Sequence, residues 1–445
     1  MNDRDPLPAM RLSNYLLTCE LPDGRVRLMS TLSRAIVDLE RRYYTELSNC
    51  VSSLSPEVAT CVQKLKELRI LVDSSKDEFA AAKETIQSWK CPDTLSITYC
   101  LTYNCNMSCV YCIQSAPPAT VGLPQRRSTE DVVGFIKKCL RYYGLDALEV
   151  CFFGGEPMLD YIGVCSLMIR LRAAAEDLTK QPPSFHMVSN GTLLSPSRIE
   201  LLAGLGLQEI QFTIDGLPEM HERRRRLRGR SSWGTIWENI LAAAANGMKT
   251  SINAVIDEEN VAEIVPMLNV MEELATRKPE LKEHAEVVLS LLIPTEEARE
   301  RSSALLYGRE KEILLEILEG YKLARDRGWN TANWFFVQSS ARESHRTYIV
   351  GPDGALFKCF GTIGDASRSI GSIDDPMEEI HRNSVKIADL DLWDEECESC
   401  PILPLCRGGC QAIAALSHDG EFGHKLCEKD VWLPVMRKAL EYEFC

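Results

Sequence analysis

Between Thr94 and Ile293 six short apolar runs alternate with helical patterns, and few folds accept that order. The runs are Leu95–Leu101, Leu148–Phe153, Phe185–Ser189, Glu209–Ile214, Thr250–Ile256 and Glu286–Ile293. Strands separated by helices pair in parallel through right-handed crossovers. Six such units predict an α/β fold, an open partial (β/α)6 barrel. The clearest helix runs from Thr129 to Tyr143: Ser128 and Asp131 are spaced as a capping box, and Gly144 stands at the stop. In parallel α/β architectures chemistry gathers where strands end and loops begin.

The flanks follow other patterns. Ser13 to Leu21 reads as a strand, Pro22-Asp23-Gly24 as a turn and Arg25 to Met29 as the returning strand. Thr31 is placed to cap a helix carrying Leu32, Ile36 and Leu39, and a second helix spans Pro56 to Leu68 before Arg69-Ile70-Leu71-Val72. That order predicts an N-terminal winged-helix-like domain over 1–91, ahead of the barrel over 92–308. Arg309 to Arg327 reads as a helix within a linking segment, 309–347. Beyond it Tyr348–Val350 and Leu356–Phe360 flank Pro352-Asp353-Gly354 as a hairpin, opening a Cys-rich domain over 348–445 that ends in a helix from Leu433 to Tyr442.

Composition narrows the function classes. A net charge of −14 argues against a general binder of nucleic acid or anionic membrane. No run reaches the length of a membrane span, and Met1 to Arg11 lacks the apolar core of a signal peptide, so the expected compartment is the cytoplasm. The chain has 18 cysteines, which in a reducing compartment are free for metals or clusters. Those in helical patterns, Cys50, Cys61, Cys139 and Cys165, read as small buried hydrophobes.

Cys105, Cys109 and Cys112 follow the first barrel strand at once. Three thiolates in eight residues converge only if the loop wraps a small metal object. A cubane [4Fe–4S] cluster normally takes four cysteines, so three leave one iron open. A zinc knuckle is the alternative and needs a fourth ligand, for which Cys100 is the near candidate. No general base or acid is singled out by spacing.

This C-x3-C-x2-C run, with Tyr111 before its third cysteine, resembles the signature of the radical S-adenosylmethionine enzymes. The resemblance implies that the open iron chelates S-adenosylmethionine and that reduction releases a 5′-deoxyadenosyl radical. Gly154-Gly155-Glu156-Pro157 after the second strand resembles the family's GGEP segment, which contacts the methionine amino group. Ser189-Asn190-Gly191-Thr192 resembles the segment near the ribose and carboxylate. Asp215-Gly216, His221 and Arg225 resemble its DG…H-x3-R stretch. The rest of the run Arg223–Arg226 reads as a solvated loop.

Cys397, Cys400, Cys406, Cys410 and Cys427 resemble the SPASM extension, which carries auxiliary iron–sulfur clusters. The resemblance assigns Cys397, Cys400, Cys406 and Cys427 to a distal cluster, and Cys359 and Cys410 to a proximal one. The pattern departs at Pro376, where the family often has Cys, and near Asp353, where some members have an upstream ligand. Asp374, Asp375 or Cys445 is left to complete the proximal site. A zinc ribbon is the other reading of the region.

With the N-terminal segment, which resembles the leader-binding element of ribosomal peptide maturases, the expectation is a peptide maturase. It binds a ribosomally made precursor, takes electrons from a flavodoxin- or ferredoxin-like donor and installs a thioether, ether or carbon–carbon crosslink. Two other expectations stand beside it: a sulfatase-activating, protein-oxidising enzyme, and a noncatalytic iron–sulfur or zinc protein.

Overall fold

The computed structural model describes residues 9–49, 55–114, 126–175, 179–293, 309–332, 341–415, 418 and 421–442. The chain divides into two compact units. One joins Met1–Trp89 to Asp391–Cys445, and the other holds Lys90–Ala332 and Ser339–Leu390.

Among the described residues, the larger unit is built on a ten-stranded sheet. In chain order its strands are β1 (Leu95–Cys100), β2 (Leu148–Phe153), β3 (Ser184–Val188), β4 (Leu207–Thr213), β5 (Lys249–Ile256), β6 (Ala285–Leu291), β7 (Asn330–Thr331), β8 (Thr347–Val350), β9 (Ala355–Phe357) and β10 (Gly371–Ser372). Their order across the sheet is β7-β6-β5-β4-β3-β2-β1-β8-β9-β10. Every pair from β7 to β8 is parallel, as expected of the six predicted units, and the sheet is the open partial barrel. Alternation sets the inner face: Leu148, Val150 and Phe152 of β2 are buried while their neighbours are half-buried. Helix α1 (Thr129–Tyr143) has the predicted capping box, with the Asp131 amide and the Ser128 hydroxyl 3.1 Å apart, and ends on Gly144 at φ 64°.

The C-terminal boundary differs from the one predicted. The hairpin β8–β9 does not open a separate domain: β8 lies parallel beside β1, with Thr347 opposite Ser96. Ile349 and Phe357 share a core with Cys100, Tyr103 and Phe153, so burying the hairpin's apolar side extends the barrel sheet. The predicted 348–445 domain is therefore divided near Leu390.

In the smaller unit, Leu16–Glu20, Arg25–Ser30 and Ile36–Glu40 form an antiparallel sheet, followed by helices Arg41–Ser48, Pro56–Glu67 and Glu78–Trp89. Ile36 to Leu39 is thus a strand, not the predicted helix. The β-branched pair Ile36-Val37 favours the pleat, and Asp38 sits opposite Arg27, whose guanidinium grips it at 2.7 and 2.8 Å. Thr31 caps nothing; its hydroxyl lies against the carbonyls of Tyr15 and Pro401.

Candidate functional site

At the C-terminal edge of β1 to β6 a cavity of about 280 Å³ opens. Cys105, Cys109, Tyr111 and Cys112 line it from the loop after β1, Gly154 and Gly155 from the loop after β2, and Ser189 and Asn190 from the end of β3. Arg225 closes the set. Pro157 starts a single helical turn behind this wall and is buried.

The thiol loop is held in place by its backbone. Ser108 and Cys109 pair antiparallel with Arg226 and Arg225, and the Val110 amide donates to the Arg224 carbonyl at 2.9 Å. The segment after β4 therefore positions Cys109. From the other side, the amides of Gly155 and Glu156 donate to the carbonyls of Thr102 and Asn104. A Cβ on Gly155 would lie 2.0 Å from the Asn104 oxygen, so only glycine permits this approach.

Glu156 is fully buried, and its carboxylate accepts from the Ser189 hydroxyl (2.8 Å) and from the amides of Asn190 (2.7 Å) and Met158 (3.0 Å). Burial pushes its pKa up, and these donors oppose that rise. Its side chain thus fastens the ends of β2 and β3 together. Asn190 donates to Asn106 at 2.8 Å and stands 3.7 Å from the Cys105 sulfur, while its own oxygen accepts from Thr192.

Below the cavity lies a buried charged network around Tyr111, Asp215, Arg224 and Arg225. Arg225 is nearly buried and Arg224 fully so, which corrects the solvated reading for Arg224, while Arg223 and Arg226 are exposed as expected. Arg225 donates to the Tyr111 hydroxyl at 2.7 Å, and that hydroxyl donates to Asp215 at 2.5 Å. Arg224 grips Asp257 at 2.8 and 2.9 Å, reaches Asp215 at 3.6 Å and lies over the Tyr111 ring. Two cations and two carboxylates pair because an isolated buried charge would be prohibitively costly. His221 packs against this network, with Nδ1 3.4 Å from the Asp215 amide and Nε2 3.0 Å from the Ser232 hydroxyl. Burial, with Arg225 nearby, pushes its pKa down to about 4.

Arg224, Asp257 and Asn106 belong to this framework, as does Asn239, whose amide donates to the carbonyls of Gly191 and Leu194 just after β3, and sequence reasoning did not select them. The spacing of Arg224 from Arg225 was the available signal: in the short helix and strand after β4, adjacent arginines point to opposite partners.

The residues fit a cluster with a bound ligand. The three thiols face one cavity, and each of the two neighbouring thiols acts electrostatically on Cys109, which burial pushes up to about 11. Arg225 Nε and Gln114 Nε2 are buried without a hydrogen-bond partner among the described residues, and both side chains line the cavity. Cys100 is turned away into the core behind β1. Among the described residues no three His, Cys, Asp or Glu side chains close on a point as a single ion requires. A cubane holds its thiolates farther apart than one tetrahedral ion does.

In the smaller unit Cys397, Cys400, Cys406 and Cys427 are neighbours: the first, second and fourth all act on Cys406, which burial pushes up to about 11. Cys410 is exposed. Cys359 lies in the barrel unit, at the end of β9. The carboxylates expected near a proximal site have other partners: Asp353 accepts from Tyr103 and the Ala355 amide, Asp374 pairs with Arg127, and Asp375 accepts from the Ser372 amide. Cys445 and Cys50 lie outside the described residues. Cys139 is buried as predicted, but Cys61 is exposed on the outer side of its helix.

No described helix is long and apolar enough to cross a membrane.

Residues 99–271 match the model of the Radical SAM superfamily. A PqqA peptide cyclase of Gluconobacter oxydans is 28% identical over 41% of this chain and 47% of its own length. Another from Rhizobium meliloti is 25% identical over 74% of this chain and 85% of its own. The mycofactocin maturase MftC of Mycobacterium tuberculosis is 25% identical over 38% of this chain and 40% of its own. Among solved structures, anSMEcpe with bound AdoMet superposes with a TM-score of 0.61 at 18% identity, covering 79% of this chain and 97% of that one. Streptococcus suis SuiB bound to S-adenosylmethionine gives 0.57 at 13%, covering 94% and 99%. The latter two establish likeness of fold. The matched segment, which contains the thiol loop and the ends of β1 to β5, is thus a Radical SAM domain.

Proposed function

We propose that the chain is a peptide maturase, acting on a ribosomally made precursor and installing a crosslink in it. The observation that carries this reading is the likeness to a PqqA peptide cyclase over 74% of the chain. Cys105, Cys109 and Cys112 would hold the cluster. The backbone of Gly154-Gly155-Glu156 and the Ser189–Asn190 turn would hold S-adenosylmethionine beside it, and Arg225, with Nε unspent, would meet an anionic group there. The bound group supplies a 5′-deoxyadenosyl radical for hydrogen abstraction.

The protein's own part is position and exclusion of water. Glu156 fixes the two loops that flank the ligand. The Arg225–Tyr111–Asp215 chain holds a cation against Cys109 and thereby favours its thiolate. Met107, Val188, Leu291 and Leu292 give the cavity apolar walls. Gln211, Thr213, Asn253 and Ser290 add amides and hydroxyls suited to orienting a substrate.

Cys397, Cys400, Cys406 and Cys427 would hold an auxiliary cluster able to accept an electron as the crosslink closes. The sheet that ends in Ile36–Glu40 would grip the leader as an added strand.

The test is incubation of reconstituted enzyme with S-adenosylmethionine, a flavodoxin-type reductant and the small peptide encoded beside its gene. Formation of 5′-deoxyadenosine with a mass loss in the peptide is expected. Deoxyadenosine without any peptide change would reject the maturase reading and leave the enzyme class standing. Cys109→Ala should abolish both products.

A further inference from the structure

At the N-terminal ends of the barrel strands, opposite the cavity, three side chains from separate segments form a linear chain. Cys91, just before β1, has its sulfur 3.2 Å from His345 Nδ1. His345, just before β8, has Nε2 3.0 Å from an Asp389 oxygen. Asp389 follows the helix Met377–Ala388. Parallel pairing of β1 with β8 brings Cys91 and His345 together across 254 residues of sequence.

The hydrogen positions follow from the partners. An ionised carboxylate only accepts, so His345 must carry its proton on Nε2, facing Asp389. Its Nδ1 then presents a lone pair to the Cys91 thiol. A nucleophile on a base whose far nitrogen is oriented by a third group is the arrangement that activates cysteine. The base is buried and held: the His345 carbonyl accepts from Tyr143 and its amide donates to the Lys90 carbonyl. Lys90 Nζ stands 2.9 Å from the same Asp389 oxygen and helps to hold the carboxylate in place. Cys91 itself is exposed, so a reaction partner can reach it.

We propose that Cys91, His345 and Asp389 form a reactive-thiol site that undergoes exchange with a low-molecular-weight disulfide. The imidazole takes the thiol proton. The Cys91 sulfur attacks one sulfur of the disulfide; the new S–S bond forms as the old one breaks, and the leaving thiolate takes the proton back from the imidazolium. Cys91 is oxidised to a mixed disulfide, and half of the disulfide leaves as a reduced thiol. The site is separate from the radical chemistry and shares no residue with it.

Cys61 supplies an internal reference, since it is exposed and, among the described residues, has the Thr60 hydroxyl but no imidazole beside its sulfur. The cluster-loaded full chain would be treated with limiting oxidised glutathione, quenched, and both cysteines followed by peptide mass spectrometry. Cys91 should be glutathionylated faster than Cys61, on the order of tenfold, because an unassisted thiol is only a few per cent thiolate at neutral pH. His345→Gln should bring Cys91 down to the Cys61 rate while iron content and S-adenosylmethionine cleavage stay unchanged. If that variant loses iron, the more exposed Asp389→Asn gives the reading instead, and a several-fold slowing of Cys91 is expected. Equal rates at Cys91 and Cys61 in the native chain would overturn the proposal, as would an unslowed Cys91 in a well-folded variant.

Discussion

The arginine run shows how far single residues were legible. Arg225 was identified through its resemblance to a motif, whereas Arg224 beside it was assigned to solvent because four consecutive arginines normally stay there. The fold buries Arg224 instead, since Asp215 and Asp257 converge on it from the ends of β4 and β5. No local pattern announces such long-range charge pairing. Removing one partner of a buried pair leaves the others uncompensated, so Arg224→Met should destabilise the barrel by about 3–5 kcal/mol, read from denaturant unfolding. His221 makes a second prediction at this scale. Its folded pKa of about 4 lies below the ordinary 6.5, so on acidification the unfolded chain binds a proton first. The stability it supplies is complete above about pH 6.5 and is lost as pH falls from there through about 4. The stability gap between the native chain and His221→Gln should therefore narrow over that window in thermal melts recorded at several pH values.

Elements were read best where one pattern decided them. The six barrel strands and the capped helix α1 follow from apolar alternation and a capping box, both of which are local. The strand Ile36–Glu40 was missed because Leu32, Ile36 and Leu39 also fit a helical spacing, and only pairing with Arg25–Ser30 resolves the choice. The joining of β8 to β1 was missed for the same reason: strand neighbours in a sheet are set by packing of Ile349 and Phe357, not by their own sequence. The glycine pair after β2 was recognised as a motif, and the structure gives its mechanical reason. The loop before Cys105 lies so close that a methyl group on Gly155 would meet two backbone carbonyls, those of Asn104 and Tyr103. Gly155→Ala should therefore leave the sheet folded by circular dichroism while iron content and deoxyadenosine formation fall sharply. Gly134→Ala, in α1 with nothing within 4 Å of the added carbon, should leave both unchanged.

At the scale of the whole chain, the division into units changes what a truncation can mean. The sequence predicts a separate N-terminal domain over 1–91, and a separate domain invites deletion as a test of leader recognition. The smaller unit instead contains a core to which both ends of the chain contribute: Tyr15, Leu32, Ala82 and Ile86 pack with Leu403, and Trp393, Cys397 and Cys400 pack against that cluster. The Tyr15 hydroxyl donates to the Glu398 carbonyl at 2.8 Å, between the first two cysteines of the distal set. Deleting residues 1–90 takes away most of the side chains that fix Cys397 and Cys400, leaving those thiols on a loop without its core. Such a deletion should cost about four irons per chain, the content of one [4Fe–4S] cluster, in addition to any effect on peptide binding. Iron analysis of the truncated chain beside Cys397→Ala in the full-length chain checks this: matching losses are expected, and full iron retention by the truncated chain would refute it. Lost turnover after that deletion therefore cannot be credited to leader recognition. Leader binding has to be measured on the intact chain, with substitutions confined to the outer edge of Ile36–Glu40.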